Sequence, residues 1–414
     1  MRTQIILLLV VAIALLQTAC TEPVEEIDKI TITEKSQKLV EADNAFGLDL
    51  FQLIYNDDET PTNFMISPLS ISMALSMAYN GAETDTKEEM AKALRIEDFT
   101  REEINGIYQT LIQELTTNDP KVAMEIANSI WYRNTYNVEQ NFLDVNHTYF
   151  NAEVNAANFN DPATVDLINQ WVSDKTHEKI PKIINEISPE MVLYLINAIY
   201  FKGTWRQEFN PESTQELGFK ISENNYVVAE MMGREDTLNY LSNDTFSAIE
   251  LPYGSGNFNM TVLLPNYDKT VDDVVAQLNA KNWKSWQQNF KITNNIDIRL
   301  PKFKIEFDIT LNQMLKLMGM ELAFTDLADF SGINPNRDLF ISFVKHKTFV
   351  EVDEKGTEAA AVTIIGFETT SVDPNEPQKI TFHCDRPFLF AITEKTSGTI
   401  LFMGKLGDPT AKND

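Results

Sequence analysis

Four histidines and two cysteines are the residues of this 414-residue chain best suited to nucleophilic or metal chemistry. None is spaced for it. His147, His177, His346 and His383 form no HExxH and no paired Cys/His set of the kind a zinc site requires. His383 and Cys384 are neighbours on a strand-like run, and adjacent strand residues point to opposite faces, which rules out a thiolate–imidazole dyad. With Phe382, Phe388 and Phe390 around it, Cys384 reads as a buried thiol. GxSxG, P-loop and GxGxxG patterns are absent. The carboxylates are too numerous for one pair to stand out. The expectation is a protein that is not an enzyme and has no metal and no cofactor.

The chemistry that remains is conformational. Glu354-Lys-Gly-Thr-Glu-Ala-Ala-Ala-Val-Thr363 follows a strand-like run and precedes an apolar tip and a polar, Pro-containing return. As a strand it would place Thr357, Ala359, Ala361 and Thr363 on one face and Glu358, Ala360 and Val362 on the other. Such small residues could slide between existing strands. Alanine is a poor strand former, however, and "TEAAAV" alone reads equally well as a Thr-capped helix turn. Elsewhere, Asn197 in an apolar strand and His346 in the strand before this segment are buried polar groups that need partners.

The elements holding these residues are legible in outline. Ser67-Pro-Leu-Ser-Ile-Ser-Met-Ala-Leu-Ser-Met-Ala-Tyr predicts a helix apolar nearly all round, opened by a Ser cap and a first-turn Pro68. Thr86–Leu94 and Asp166–Thr176 predict amphipathic helices, the second with Ile168, Trp171 and Val172 on one face. Val122–Tyr132 and Leu193–Phe201 read as strands covered on both faces. Ile296–Phe307 and Phe340–Val352 alternate as half-buried strands, and Phe388–Thr393 with Thr399–Met403 predicts a hairpin. No linker, repeat or low-complexity tract interrupts the chain from about Lys38 to Gly407, so one large mixed domain is expected.

Composition agrees with a large core: 43% hydrophobic, 10% aromatic, 23% charged. A net charge of −27 argues against a nucleic-acid partner, which needs a basic stripe. At the N-terminus, Met1-Arg2, the apolar run Ile5–Leu16 and Gln17-Thr18-Ala19-Cys20 have the form of a secretory signal. Its end resembles a bacterial lipobox, in which the Cys is lipidated, although Gln17 stands where an aliphatic residue is usual. This gives residues 1–19 as signal, Cys20 as the lipidation site and membrane anchor, and 20–37 as an acidic tether. The alternative is a plain cleaved signal.

Glu354–Thr363, the preceding "FVKHKTFVEV" and the following "FHCDRPFLFAITEKTSGTILFMGKLGDP" together resemble the serpin family. So do "NFMISPLSISMALSMAYNGAETDTKEEM", "INQWVSDKTHEKI", "LYLINAIYFKGTW" and "LPKFKIEFDITLNQMLKLMGM", in order, across nearly the whole mature chain. The resemblance implies an α+β serpin fold of three β-sheets with eight or nine helices, a single domain over 38–410, and a reactive-centre loop over 354–381. It implies a monomeric inhibitor of serine or cysteine proteases that acts as a suicide substrate. The hinge would be Glu354, Gly356, Thr357, Glu358, Ala359, Ala360 and Ala361. Counting from Glu354 places the scissile bond at Thr370–Ser371, suited to elastase-like or subtilisin-like enzymes. The segment after Ser371 is longer than usual, and counting back from Pro387 would place the cut near Glu376 instead. Ser67, Ser70, Asn197 and His346 would form a hydrogen-bonded cluster where the central sheet opens, with Trp205 at its top. A non-inhibitory serpin, a carrier or chaperone-like module, is the alternative.

Overall fold

The computed structural model describes residues 30–357 and 379–411. Cys20, Glu358, Ala359, Ala360, Ala361, Thr370 and Ser371 lie outside the described residues, as do the signal and most of the tether.

The chain opens with α1 (Glu34–Tyr55), capped by Thr33 in a reciprocal box with Ser36. This moves the start of the domain upstream of Lys38. Ile30 is already buried, the Thr31 amide donates to Glu114 Oε2, and Glu34–Gln37 are helical rather than tether. Ile30 showed no periodicity because it precedes the cap. Next come β1 (Phe64–Ile66), α2 (Pro68–Tyr79), α3 (Thr84–Leu94), α4 (Arg101–Thr117) and β2 (Val122–Arg133). They are followed by α5 (Gln140–Phe150), β3 (Glu153–Ala157), α6 (Ala163–Lys175), β4 (Leu193–Thr204) and β5 (Gln215–Ser222). The 18-residue β6 (Asn225–Ser242), β7 (Phe246–Tyr253) and β8 (Phe258–Pro265) come before α7 (Val271–Val275) and α8 (Ala280–Asn289). The remainder is β9 (Lys291–Pro301), β10 (Phe303–Thr310), α9 (Asn312–Leu317), β11 (Lys345–Asp353), β12 (Gly356–Thr357), β13 (Ile380–His383), β14 (Phe388–Glu394) and β15 (Ile400–Leu406).

The strands form three sheets, two of which share β6. One is six-stranded, ordered β10-β11-β12-β4-β2-β3. The strands β1-β15-β14-β8-β7 join the end of β6, while β5 and β9 line its earlier part and β13 pairs with β9 beyond it. Together with the nine α-helices among the described residues, this matches the α+β arrangement of three sheets and eight or nine helices that the resemblance implies. The six-stranded sheet is covered on both faces, as its apolar runs required. Ile199, Phe201, Val350 and Val352 face the main core, while Tyr194, Ile196 and Phe349 face a second cluster under α6.

Two predicted strands change form. The run Ile296–Phe307 is two strands in different sheets: the Lys302 amide turns back to Glu230 O, and the chain crosses from one sheet to the other. The run Phe340–Val352 is strand only from Lys345. Its first part is held instead by Asn312, whose amide donates to Ser342 O and whose Oδ1 accepts from the Val344 amide.

Candidate functional site

At the upper end of the six-stranded sheet the chain leaves β11, turns at Glu354–Lys355, and re-enters the sheet as β12. Thr357 pairs antiparallel with Val352 on one side and Gly203 on the other. The segment read as an exposed loop from 354 to 381 thus begins inside the sheet, and its far end is already β13, parallel to β9. Gly356 is required by close approach: a Cβ there would lie 2.1 Å from Gly203 O.

The entry point is fixed from three sides. The Trp205 indole N–H donates to Asp353 O at 2.9 Å, and the amides of Trp205 and Phe209 donate to Lys355 O and Glu354 O. The Trp205 ring stacks on Tyr253, centroids 4.4 Å apart and 13° from parallel. Tyr253 in turn shares a 2.7 Å hydrogen bond between its hydroxyl and that of buried Thr357. Glu354 accepts from Thr214 and faces Lys302 at 3.5 Å. Partial burial pushes the Glu354 carboxyl upward, but its backbone hydrogen bond, Thr214 and Lys302 together outweigh that and hold it below the usual carboxylate range.

Below Thr357 the sheet is open. Among the described residues, β4 and β11 are linked only through β12, so most of each facing edge has no strand partner. A cavity of ≈ 190 Å³ occupies the lower part of this gap, lined among others by Ser70, Tyr194, Asn197, Phe343 and His346. The Tyr194 hydroxyl and Asn197 Oδ1 are buried without a hydrogen-bond partner.

The expected sheet-opening cluster is only partly one network. The Ser67 amide donates to His346 Nε2 at 3.0 Å, the Ser67 hydroxyl donates to Leu401 O, and Ser67 Oγ accepts from the Ser70 amide. Asn197 is not bonded to this group. It stands across the gap and donates to Asn128 Oδ1 at 2.7 Å, Asn128 being its opposite on β2 and itself donating to Phe150 O. Because Nε2 accepts, His346 is neutral with its proton on Nδ1, and burial pushes its pKa down to about 3. Asn128 and Tyr253 were missed from the sequence. Their only signal was a polar or hydroxylated side chain in an otherwise apolar run.

The residues after α6 strap the opposite face. His177 bonds Glu125 on β2 at 2.8 Å, Lys179 lies over the Phe349 ring, and Lys347 on β11 donates to Lys182 O.

Residues 41–409 match the family model described as Serpin (serine protease inhibitor). The chain is 34% identical to human Serpin B3, over 90% of this chain and 99% of that protein. It is also 34% identical to a leukocyte elastase inhibitor of Xenopus laevis, over 90% of this chain and 100% of that one. Among solved structures, the thermophilic serpin Tengpin in its native state is similar, with a TM-score of 0.81, 34% identity and coverage of 92% and 96%. Human thyroxine-binding globulin complexed with thyroxine also has a TM-score of 0.81, with 28% identity and coverage of 91% and 100%. The chain belongs to the serpin family.

Proposed function

We propose that this serpin is an inhibitor of serine or cysteine proteases of elastase-like or subtilisin-like specificity, acting as a suicide substrate. The protease nucleophile attacks the Thr370 carbonyl, the peptide bond to Ser371 breaks, and the new Ser371 amine departs while Thr370 is held as an acyl-enzyme. The freed hinge then enters the gap between β4 and β11 and carries the protease with it before water can cleave the acyl bond. The observation that carries this reading is the pairing of Gly356–Thr357 with both edges of a sheet that is open beneath them.

The register can be extended. Thr357 lies opposite Gly203 and Val352, and six residues further along the hinge Thr363 falls opposite Asn197 (203 − 6) and His346 (352 − 6). Thr357 and Thr363 share a strand face. Insertion would therefore place a hydroxyl between the two polar groups that stand apart across the gap. Small side chains at Ala359 and Ala361 suit the same buried face.

The fold alone does not separate inhibitor from carrier, since thyroxine-binding globulin shares it. A hinge without bulky or charged residues at Thr357, Ala359 and Ala361 favours inhibition. The deciding experiment is incubation with an elastase-like protease. A covalent complex surviving SDS and heat is expected; clean cleavage without complex, across several protease classes, would overturn the reading. The same proposal places the protein at the cell envelope as a monomer tethered through lipidated Cys20. Acyl chains should be found on the mature N-terminus, and unchanged localisation of Cys20→Ala would refute the anchor.

A further inference from the structure

Away from the gap, four polar side chains meet inside the apolar core where α1, α2 and α4 converge. They are Asp43 on α1, Ser72 and Ser76 on α2, and Tyr108 on α4, none more than 3% exposed. The Tyr108 hydroxyl donates to Asp43 Oδ1 at 2.8 Å. Asp43 Oδ2 and both serine hydroxyls have no hydrogen-bond partner. Among the described residues, no cation compensates the carboxyl. Helix α2 contains no charged residue. The charged groups of α1 and α4 face elsewhere: Lys35 pairs with Glu103, Lys38 with Glu34, Glu41 with Lys284, Asp49 with Arg95, Arg101 with Glu83, and Glu114 with the Thr31 amide, while Glu102 is exposed.

A buried carboxylate in this place could accept O–H groups from Tyr108 and the neighbouring Ser72, but its charge would stay uncompensated, which is strongly unfavourable. A neutral carboxyl removes the charge, and the O–H it carries on Oδ2 can be donated to a neighbouring serine oxygen. We propose that Asp43 is a proton-binding site at the α1–α2–α4 junction, neutral in the folded protein, whose ionisation loosens α2 against its neighbours. Burial supports this by pushing the Asp43 pKa up to about 7, with Tyr108 and Ser72 pulling the other way. Because α2 begins at the Ser67–Ser70 turn beside His346, the same proton bears on the stability of the gap. That consequence for loop insertion rests on the inhibitory reading; the proton site does not.

The test compares the unfolding constants of wild type and Asp43→Asn by denaturant titration from about pH 5 to about pH 8. Asp43 keeps its proton in the fold after losing it in the unfolded chain. The wild-type constant should therefore rise relative to the variant by about tenfold per pH unit, levelling off near neutrality. A ratio that stays flat would overturn the proposal. If Asp43→Asn does not fold, infrared spectroscopy of the wild type reads the proton directly. A protonated-carboxyl carbonyl band should disappear near neutrality, and Tyr108→Phe should move its midpoint upward by removing a donor to the carboxylate. Burial also raises Glu250, which bonds Asn239 rather than Tyr108, so its band would not respond. No titrating band, or one that Tyr108→Phe leaves in place, refutes the assignment.

Discussion

One hydroxyl, that of Tyr253, joins the hinge to the core. It bonds Thr357 while its ring supports Trp205, so Tyr253→Phe should leave the stack intact and orphan the Thr357 hydroxyl. Losing a buried hydrogen bond of this kind costs about 1–3 kcal/mol, read as a lower denaturation midpoint with near-native Trp205 fluorescence. An unchanged midpoint would show that the bond does not hold the hinge. At His346 the sign of the pH effect follows from its depressed pKa. The folded imidazole refuses a proton until about pH 3, whereas the unfolded one accepts it near the ordinary histidine value of 6.5. Its contribution is complete above that value and is lost as pH falls, by about 1.4 kcal/mol per unit. His346→Gln should remove that slope between about pH 6 and pH 4; an identical slope in both proteins would place the acid sensitivity elsewhere. Sequence alone could mark His346 and Asn197 as polar residues in apolar strands, because burial of such groups demands partners. It could not say that they stand on opposite banks of a gap, since cross-strand register depends on residues far apart in the chain.

Among the elements, the long apolar strands β2 and β4 and the capped helix α2 were readable because local pattern and tertiary burial agree. Where they part, the reading failed. The alternation from Ile296 to Phe307 is continuous, yet Lys302 divides it between sheets. The run from Phe340 looks strand-like but answers to Asn312. The two-residue β12 has no sequence signature of its own; it exists because β11 and β4 offer edges on either side. Gly356 is what allows it so close to Gly203. Gly356→Ala should expel β12, seen as faster amide hydrogen exchange in the 203–204 and 352–353 segments with the rest of the sheet unchanged. Protection equal to wild type in both segments would mean that the sheet can yield to the added methyl.

For the whole molecule, the inhibitory reading implies that a sheet with open facing edges and a cavity between them is not the most paired arrangement this sequence can reach. Unpaired backbone groups and lost packing both raise the free energy of the intact fold relative to one in which a strand fills the gap. On that reading the intact loop, tied at Glu354 and leading to β13, would hold the protein in that state for kinetic reasons. Cutting the loop would free the hinge from β13 and let it continue the register that Gly356–Thr357 begins. The cleaved protein should therefore unfold at a higher temperature than the intact one, although a peptide bond has been lost. Thr357→Arg separates this from any general effect of cleavage. Its side chain would have to occupy the buried site against Tyr253, so insertion should be blocked at the first position. The cleaved variant should gain no thermal stability and should behave toward a protease as a substrate rather than a trap. Equal midpoints for intact and cleaved wild type, or an equal rise in Thr357→Arg, would mean that the gap is not where the stored free energy resides.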